Sequence, residues 1–104
     1  MNTREVNLKA RELRNEAADL ERLFHDAVVK YLSTIIEVES CCEPDKERTG
    51  KACLEEICSW YEEEHDLVVI EYSIMNTYGE CYDNREIRVS SSEIDKYLFE
   101  MLKK

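Results

Sequence analysis

One apolar stripe constrains the N-terminal third of the chain more than any other feature. From Val6 to Tyr31, apolar residues recur at alternating steps of four and three, which is the spacing of one face of an α-helix. The positions are Val6, Ala10, Leu13, Ala17, Leu20, Phe24, Ala27 and Tyr31. Because no glycine or proline interrupts them, the pattern predicts one long N-terminal helix. About thirty residues would extend about 45 Å, which exceeds the comfortable width of a 104-residue domain. We therefore expect this helix to bend, protrude or find a partner.

The middle of the chain carries the pattern of a second amphipathic helix. Residues 34–40 combine β-branched residues with alternating apolar and acidic ones, which suits a third strand, but we favour continued helix there. Pro44 then ends what precedes it, because proline disfavours helical geometry in the residue before it. Beyond Pro44, advancing each residue by about 100° separates an apolar side from an acidic side. The apolar side holds Leu54, Ile57, Cys58 and Tyr61, and the acidic side holds Glu55, Glu56, Glu62 and Glu63.

The last third of the chain predicts an antiparallel β-hairpin and a short C-terminal helix. Residues 67–75 are rich in β-branched and aromatic side chains, and after a turn residues 85–89 alternate polar with apolar ones. A run of serines from Ser90 offers helix N-caps, and an apolar stripe in helical spacing follows it. The expected fold is therefore a single α+β domain over residues 1–104, with a long N-terminal helix, a second amphipathic helix, a hairpin covered by helices, and a short final helix.

Neither a secretory signal nor a membrane span is indicated. The longest apolar run is Leu67–Ile70, four residues, against the roughly 20 that a membrane-spanning helix requires. The first twenty residues alternate charged and apolar groups instead of forming the apolar core of a signal. Five cysteines are an odd number, so complete internal pairing is excluded. We expect a cytoplasmic protein with reduced thiols and no membrane partner.

The residue spacing argues against catalysis and metal binding. His25 and His65 lie beside no nucleophile in a recognisable motif, and Gly50 and Gly79 alone cannot build a phosphate-binding loop. The cysteines lack the short spacing of zinc knuckles. They are Cys41, Cys42, Cys53, Cys58 and Cys81. We predict no catalytic residue, no metal and no cofactor, and we interpret the thiols as small hydrophobes. A cysteine-based zinc or thiol protein is kept as an alternative.

The net charge of −10 is concentrated in one segment. Residues 37–66 hold eleven acidic and three basic residues, a net charge of −8. Such a segment repels nucleic acid and attracts basic protein surfaces, and an aromatic side chain within it suits an interface anchor. The residues predicted to bind a partner are Glu55, Glu56, Trp60, Glu62, Glu63 and Glu64. The alternative interpretation is a solvated face that keeps the protein soluble.

These features favour a non-enzymatic acidic protein that engages a basic, nucleic-acid-binding protein without binding nucleic acid itself. In size and charge this is analogous to nuclease immunity proteins and to mobile-element inhibitors of host defence, as acidic mimics of nucleic acid. The main alternative is a homodimeric structural or adaptor protein that pairs through the N-terminal stripe. The candidate dimerisation residues are Leu13, Ala17, Leu20, Phe24 and Tyr31.

Overall fold

The computed structural model describes residues 2–12 and 17–102, and for residues 10–12, 17 and 18 it describes the backbone alone. The described chain folds into three α-helices and a mixed five-stranded sheet, which confirms the α+β class. The elements are α1 (Thr3–Glu12), α2 (Ala17–Leu32), β1 (Val38–Glu39), β2 (Ala52–Cys53), a short 3₁₀ helix (Leu54–Glu56), β3 (Cys58–Glu62), β4 (Leu67–Met75), β5 (Cys81–Ser90) and α3 (Ser91–Leu102). None of the described helices combines the length and apolar character that a membrane span requires.

The prediction of one long N-terminal helix is wrong. α1 ends at Glu12, α2 begins at Ala17, and the two helices contact each other. Val6 of α1 and Phe24 of α2 are buried in one core. Two helices in contact place the described members of the stripe, from Val6 to Tyr31, in or against one core, whereas a single helix of about 45 Å would leave part of it uncovered. Because α1 and α2 pack against each other, neither helix extends beyond the width of the domain.

β4 is the central strand of the sheet. Along one edge it pairs antiparallel with β5, from Leu67 opposite Ser90 to Met75 opposite Cys81. Its other edge pairs antiparallel with β3 and then with β2. β1 extends the sheet by pairing parallel with β2. The predicted hairpin is therefore present as β4 and β5, but its second strand begins four residues before Arg85 and the sheet is larger than a hairpin.

Two other expectations from the middle of the chain need correction. The favoured continuation of helix through residues 34–40 is wrong, because α2 ends at Leu32 and the two residues of β1 are a strand. The second amphipathic helix is also wrong, because its residues form β2, the 3₁₀ helix and β3. The segment from Cys58 to Glu62 is rich in residues that also suit strands. All five residues of this segment pair with the edge of β4 that β5 leaves open.

The helices pack on one face of the sheet. Alternate residues of β4 from Val68 to Ile74 belong to one core with residues of α1, α2 and α3. On β3 the buried Tyr61 faces the same core, opposite Val68 in the pairing register. Side chains at the intervening positions of these strands point to the other face of the sheet. Trp60 lies on that face, next to Tyr61 in sequence but on the other side of the strand.

The turn between β3 and β4 is held by a hydrogen bond to its last residue. The hydroxyl of Tyr61 donates to Oδ1 of Asp66 at 2.6 Å. This hydrogen bond, followed by one from Ser91, lowers the pKa of the Asp66 carboxyl below its usual value. Asp66 adopts φ +52°, a left-handed conformation that aspartate tolerates better than most residues. Tyr61 therefore links the core of β3 to the start of β4.

The long connection from β1 to β2 packs against the turn between β4 and β5. Gly79 in that turn adopts φ +80°, and a methyl group on its Cα would lie 3.1 Å from Cδ of Arg48 and 3.3 Å from the carbonyl oxygen of Cys41. The Nε–H of Arg48 also donates to the carbonyl of Ser40 at 3.3 Å. Glycine is required here by both the backbone conformation and the close approach. This packing brings Cys41 towards the beginning of β5.

Candidate functional site

The face of the sheet opposite the helices carries a group of exposed polar side chains around one tryptophan. We call this group the open face. It consists of Cys58, Trp60 and Glu62 of β3, Glu71 of β4, and Glu86 and Arg88 of β5, as the pairing register and exposure place them. Trp60 is 39% exposed. A large aromatic ring left in solvent on an edge strand of a sheet is the type of residue that anchors protein interfaces.

Two rows of side chains cross the open face. In the first row Trp60, Val69 and Arg88 are consecutive cross-strand partners, and Val69 is buried between its two neighbours. In the second row Glu71 lies directly opposite Glu86, and both side chains are exposed. Like charges directly opposite each other on antiparallel strands destabilise the pairing. The second row is therefore a feature that folding alone does not favour.

The single base of the open face is already paired. Nη1 of Arg88 lies 3.4 Å from Oε2 of Glu62, and its Nε lies 3.5 Å from Oε2 of Glu86. Glu71 makes no salt bridge with any residue that the structure describes. The open face consequently carries three carboxylates against one guanidinium, and one of those carboxylates, Glu71, has no salt bridge among the described residues.

A shallow concavity adjoins the second row. It has a volume of about 450 Å³ and is lined by three glutamates, Glu56, Glu71 and Glu86, and by one base, Arg85, which is already paired with Asp83 at 3.0 Å. In its floor the hydroxyl of Ser73 donates to Oδ1 of Asn84 at 2.7 Å. Converging carboxylates around a concave surface favour a cationic side chain over an anionic or apolar one. The concavity thus has the chemistry to receive a lysine or arginine.

The six residues predicted to bind a partner lie in different parts of the structure. Trp60 and Glu62 lie on the open face, and Glu56 lines the concavity beside it. Glu64 is exposed in the turn between β3 and β4. Glu63 lies 3.8 Å from the guanidinium of Arg4. Glu55 accepts hydrogen bonds from Ser40 and Cys41 of the same chain.

Two carboxylates of the open face, Glu71 and Glu86, are not among the residues predicted from the sequence. Glu71 is the only charged residue of β4, which is a visible signal, but its pairing with Glu86 depends on the strand register. Register follows from the turn and from the core pattern together. The acidic segment 37–66 therefore supplies only part of the surface.

The candidate dimerisation residues whose side chains the structure describes pack against other residues of the same chain. Phe24 is buried in the core, and the ring of Tyr31 makes an edge contact with that of Tyr97 at a centroid distance of 6.4 Å. Leu20 is partly buried against the same core. Leu13 lies outside the described residues, and Ala17 is described only as the first residue of α2.

A second site lies where the β1–β2 connection meets β2 and β5. We call it the thiol cluster: Cys41 and Cys53 beside Glu55, with Cys42 next to Cys41 and Cys81 next to Cys53. Sγ of Cys41 and Sγ of Cys53 lie within 4.8 Å of each other and of a carboxylate oxygen of Glu55. Sγ of Cys42 lies 3.8 Å from that of Cys41. Burial, and then the neighbouring Cys53 thiol, raise the pKa of Cys81. Four of the five cysteines are therefore close together, although their spacing in sequence gave no sign of it.

Glu55 is the polar centre of the thiol cluster. The hydroxyl of Ser40 donates to its Oε2 at 2.7 Å, and the backbone N–H of Cys41 donates to its Oε1 at 2.8 Å. These hydrogen bonds, that from Ser40 first, lower the pKa of Glu55 to about 2. The Glu55 carboxylate, and to a lesser extent the Cys42 thiol, raise the pKa of Cys41 to about 12. The cluster thus combines a protonated Cys41 thiol with an ionised and firmly oriented carboxylate.

Comparison with known proteins adds no family to these observations. No protein-family model matches the chain, and no significant similarity to a curated protein or to a solved structure was found.

Proposed function

We propose that the protein is a non-enzymatic acidic binding protein that engages a basic protein partner through the open face. The observation that carries the proposal is the second row, where Glu71 and Glu86 lie opposite each other in solvent. Such a pair costs stability in the free protein. A lysine or arginine of a partner between the two carboxylates would turn that repulsion into attraction.

The surroundings of the second row support a protein partner over a small cation. Trp60 offers a broad apolar surface in the adjacent row, and interfaces combine such an aromatic centre with charged groups at its margin. The concavity beside Glu56 is open and shallow, which suits a side chain projecting from a larger molecule. Acidic patches also steer basic partners at rates that depend on salt.

The expected partner class is a protein whose basic surface normally receives nucleic acid. A net charge of −10 over 104 residues makes direct binding of nucleic acid unfavourable and makes competition with it favourable. On this proposal the protein acts as an inhibitor or regulator by occupying such a surface.

The test compares two variants that each remove one charge. Tagged wild type, Glu71→Gln and Glu100→Gln are used to capture partners from a nuclease-treated lysate of the native host, and the captured proteins are identified by mass spectrometry. Glu100 is exposed on α3, away from the open face. We expect wild type and Glu100→Gln to retain the same basic protein.

Affinity for that partner is then measured with purified proteins at low and high salt. We expect Glu71→Gln to weaken binding about tenfold, the loss that accompanies removal of a close interfacial charge pair. Trp60→Ala should weaken binding by about 2 kcal/mol or more, as for an interface anchor. Equal affinity of Glu71→Gln and Glu100→Gln for the partner, or binding that salt leaves unchanged, would contradict the proposal.

A further inference from the structure

We propose that the thiol cluster is a binding site for a thiophilic divalent cation, Zn²⁺ by preference, with Cys41, Cys53 and Glu55 as ligands and Cys42 as the fourth. The four residues come from two stretches of the chain: the β1–β2 connection, and the continuous stretch formed by β2 and the 3₁₀ helix. This site shares no residue with the open face, and its proposal does not rest on the function proposed for that face.

The distances within the cluster are close to those of a tetrahedral site. With Zn–S bonds of about 2.3 Å and Zn–O bonds of about 2.0 Å, the edges of the tetrahedron are about 3.8 Å between two sulfurs and about 3.5 Å between sulfur and oxygen. The observed separations are 3.8 Å between Sγ of Cys41 and Cys42, and 3.7 Å from Sγ of Cys53 to Oε1 of Glu55. Cys41, Cys53 and Glu55 all lie within 4.8 Å of one another. Small side-chain rotations would bring these groups onto one ion.

The carboxylate is held in place by groups outside the ligand set. The hydroxyl of Ser40 and the backbone N–H of Cys41 fix the two oxygens of Glu55. Such hydrogen bonds to a ligating carboxylate orient it and are characteristic of metal sites. In the metal-free protein the Cys53 thiol also donates to the same carboxylate, so a proton occupies the position that a cation would take.

The donor set determines which cation is preferred. Three sulfurs and one oxygen favour Zn²⁺ over Mg²⁺ or Ca²⁺, which prefer oxygen ligands. On binding, Cys41, Cys42 and Cys53 each release a thiol proton to solvent while Glu55 is already ionised, so no oxidant or reductant takes part. The bound ion would join the β1–β2 connection to β2 and the 3₁₀ helix.

Cobalt(II) is the probe for this site. The reduced, metal-stripped full chain is titrated with Co²⁺, and absorption is recorded in the thiolate-to-metal charge-transfer and d–d regions. We expect one Co²⁺ per chain with tetrahedral spectra, and displacement by Zn²⁺ but not by Mg²⁺. Cys41→Ser and Cys53→Ser should each weaken Co²⁺ binding at least about 100-fold, beyond the range typical of residues that only support ligands.

Two further variants separate ligation from folding. Ser40→Ala leaves all four ligands in place and should weaken binding about 10- to 100-fold by releasing Glu55. Cys58→Ser removes the thiol outside the cluster and should bind Co²⁺ as wild type does. Far-ultraviolet circular dichroism of each metal-free variant checks its fold, which matters most for the buried Cys53.

Absence of charge-transfer absorption from reduced wild type would overturn the proposal. So would equal weakening of Co²⁺ binding by Cys58→Ser and Cys41→Ser. The fourth ligand is tested by Cys42→Ser and Cys81→Ser. Loss of binding in Cys42→Ser supports the assignment, and loss in Cys81→Ser with retention in Cys42→Ser overturns the assignment of Cys42.

Discussion

Removing the negative charge of Glu71 should make the free protein more stable while it weakens partner binding. Glu71 is exposed, lies opposite Glu86 and has no salt bridge among the described residues. Replacing it with glutamine keeps its size and its place on β4. The substitution therefore isolates the repulsion between the two carboxylates.

The size of the gain follows from the separation of the two charges. Opposite residues of an antiparallel pair place their Cβ atoms about 5 Å apart, so the carboxylates are about 6 Å apart. At that distance the repulsion in water is about 0.7 kcal/mol, and screening at physiological ionic strength reduces it to about 0.3 kcal/mol. For a domain of this size, 1 kcal/mol changes Tm by about 4–8 °C. We expect Glu71→Gln to raise Tm by about 3–5 °C at low salt and by about 1–2 °C at physiological salt.

Thermal unfolding followed by circular dichroism at several salt concentrations measures this gain. Glu100→Gln is the control, because neutralising any acid of a chain with net charge −10 relieves some overall repulsion. Glu71→Lys should about double the gain by replacing repulsion with attraction. A rise in Tm for Glu71→Gln no larger than that for Glu100→Gln, or a rise that salt does not reduce, would refute the reasoning.

The remaining predictions concern two turns and the thiol cluster. Gly79→Ala should destabilise the protein by more than Gly50→Ala does, because both adopt φ +80° but only Gly79 has neighbours within 4 Å of the added methyl group; for Gly50 the cost of the backbone conformation alone is about 1–2 kcal/mol in urea denaturation. Tyr61→Phe should lower stability at pH 7 by about 1 kcal/mol, the worth of one hydrogen bond. The folded-state pKa of Asp66 is lowered, so the stability it contributes is present above its unfolded pKa and is lost as pH falls through the folded value, and the Tyr61→Phe and wild-type stabilities should converge in acid. The Glu55 carboxyl should titrate by NMR with a pKa of about 2, and Glu55→Gln should reduce the loss of stability between pH 4.5 and about 2.

For each of these predictions, one experimental result would contradict its physical reason. Equal losses for the two glycine variants would show that the contacts around Gly79 relax without cost. A constant difference between Tyr61→Phe and wild type across the acid range would show that the hydroxyl does not act through Asp66. An NMR midpoint near pH 4.5 for Glu55 would show that its hydrogen bonds do not persist in solution.

Local patterns predicted the elements that carry one dominant signal. β4 contains a run of β-branched residues that is too short to favour a helix, so it was predicted as a strand. α3 begins with serines that suit helix N-caps and continues with apolar residues at helical spacing, so it was predicted as a helix. The N-terminal stripe was also helical, but its period is the same whether it belongs to one helix or to two that pack together. The difference lies in tertiary packing, which sequence periodicity does not contain.

The segment from Cys58 to Glu62 shows how tertiary context overrides a local pattern. Its apolar residues match a helical period when Leu54 and Ile57 are counted with them, yet five residues of strand pairing with β4 outweigh that period. In a strand Trp60 and Tyr61 point to opposite faces, so one becomes core and the other joins the open face. The acidic face predicted on a helix is therefore divided between separate elements, and two carboxylates of the open face, Glu71 and Glu86, lie outside segment 37–66.

The same rearrangement separates two glutamates that a helix would have kept together. Glu55 and Glu56 are adjacent in the 3₁₀ helix that follows β2. Glu55 turns to the thiol cluster, where Ser40 fixes it, while Glu56 lines the concavity beside Glu71. Each site therefore depends on the same three-residue helix for one of its carboxylates. A cation that immobilised Glu55 would also hold the backbone of Glu56, so Zn²⁺ should slow amide hydrogen exchange across Leu54–Glu56 without contacting the open face.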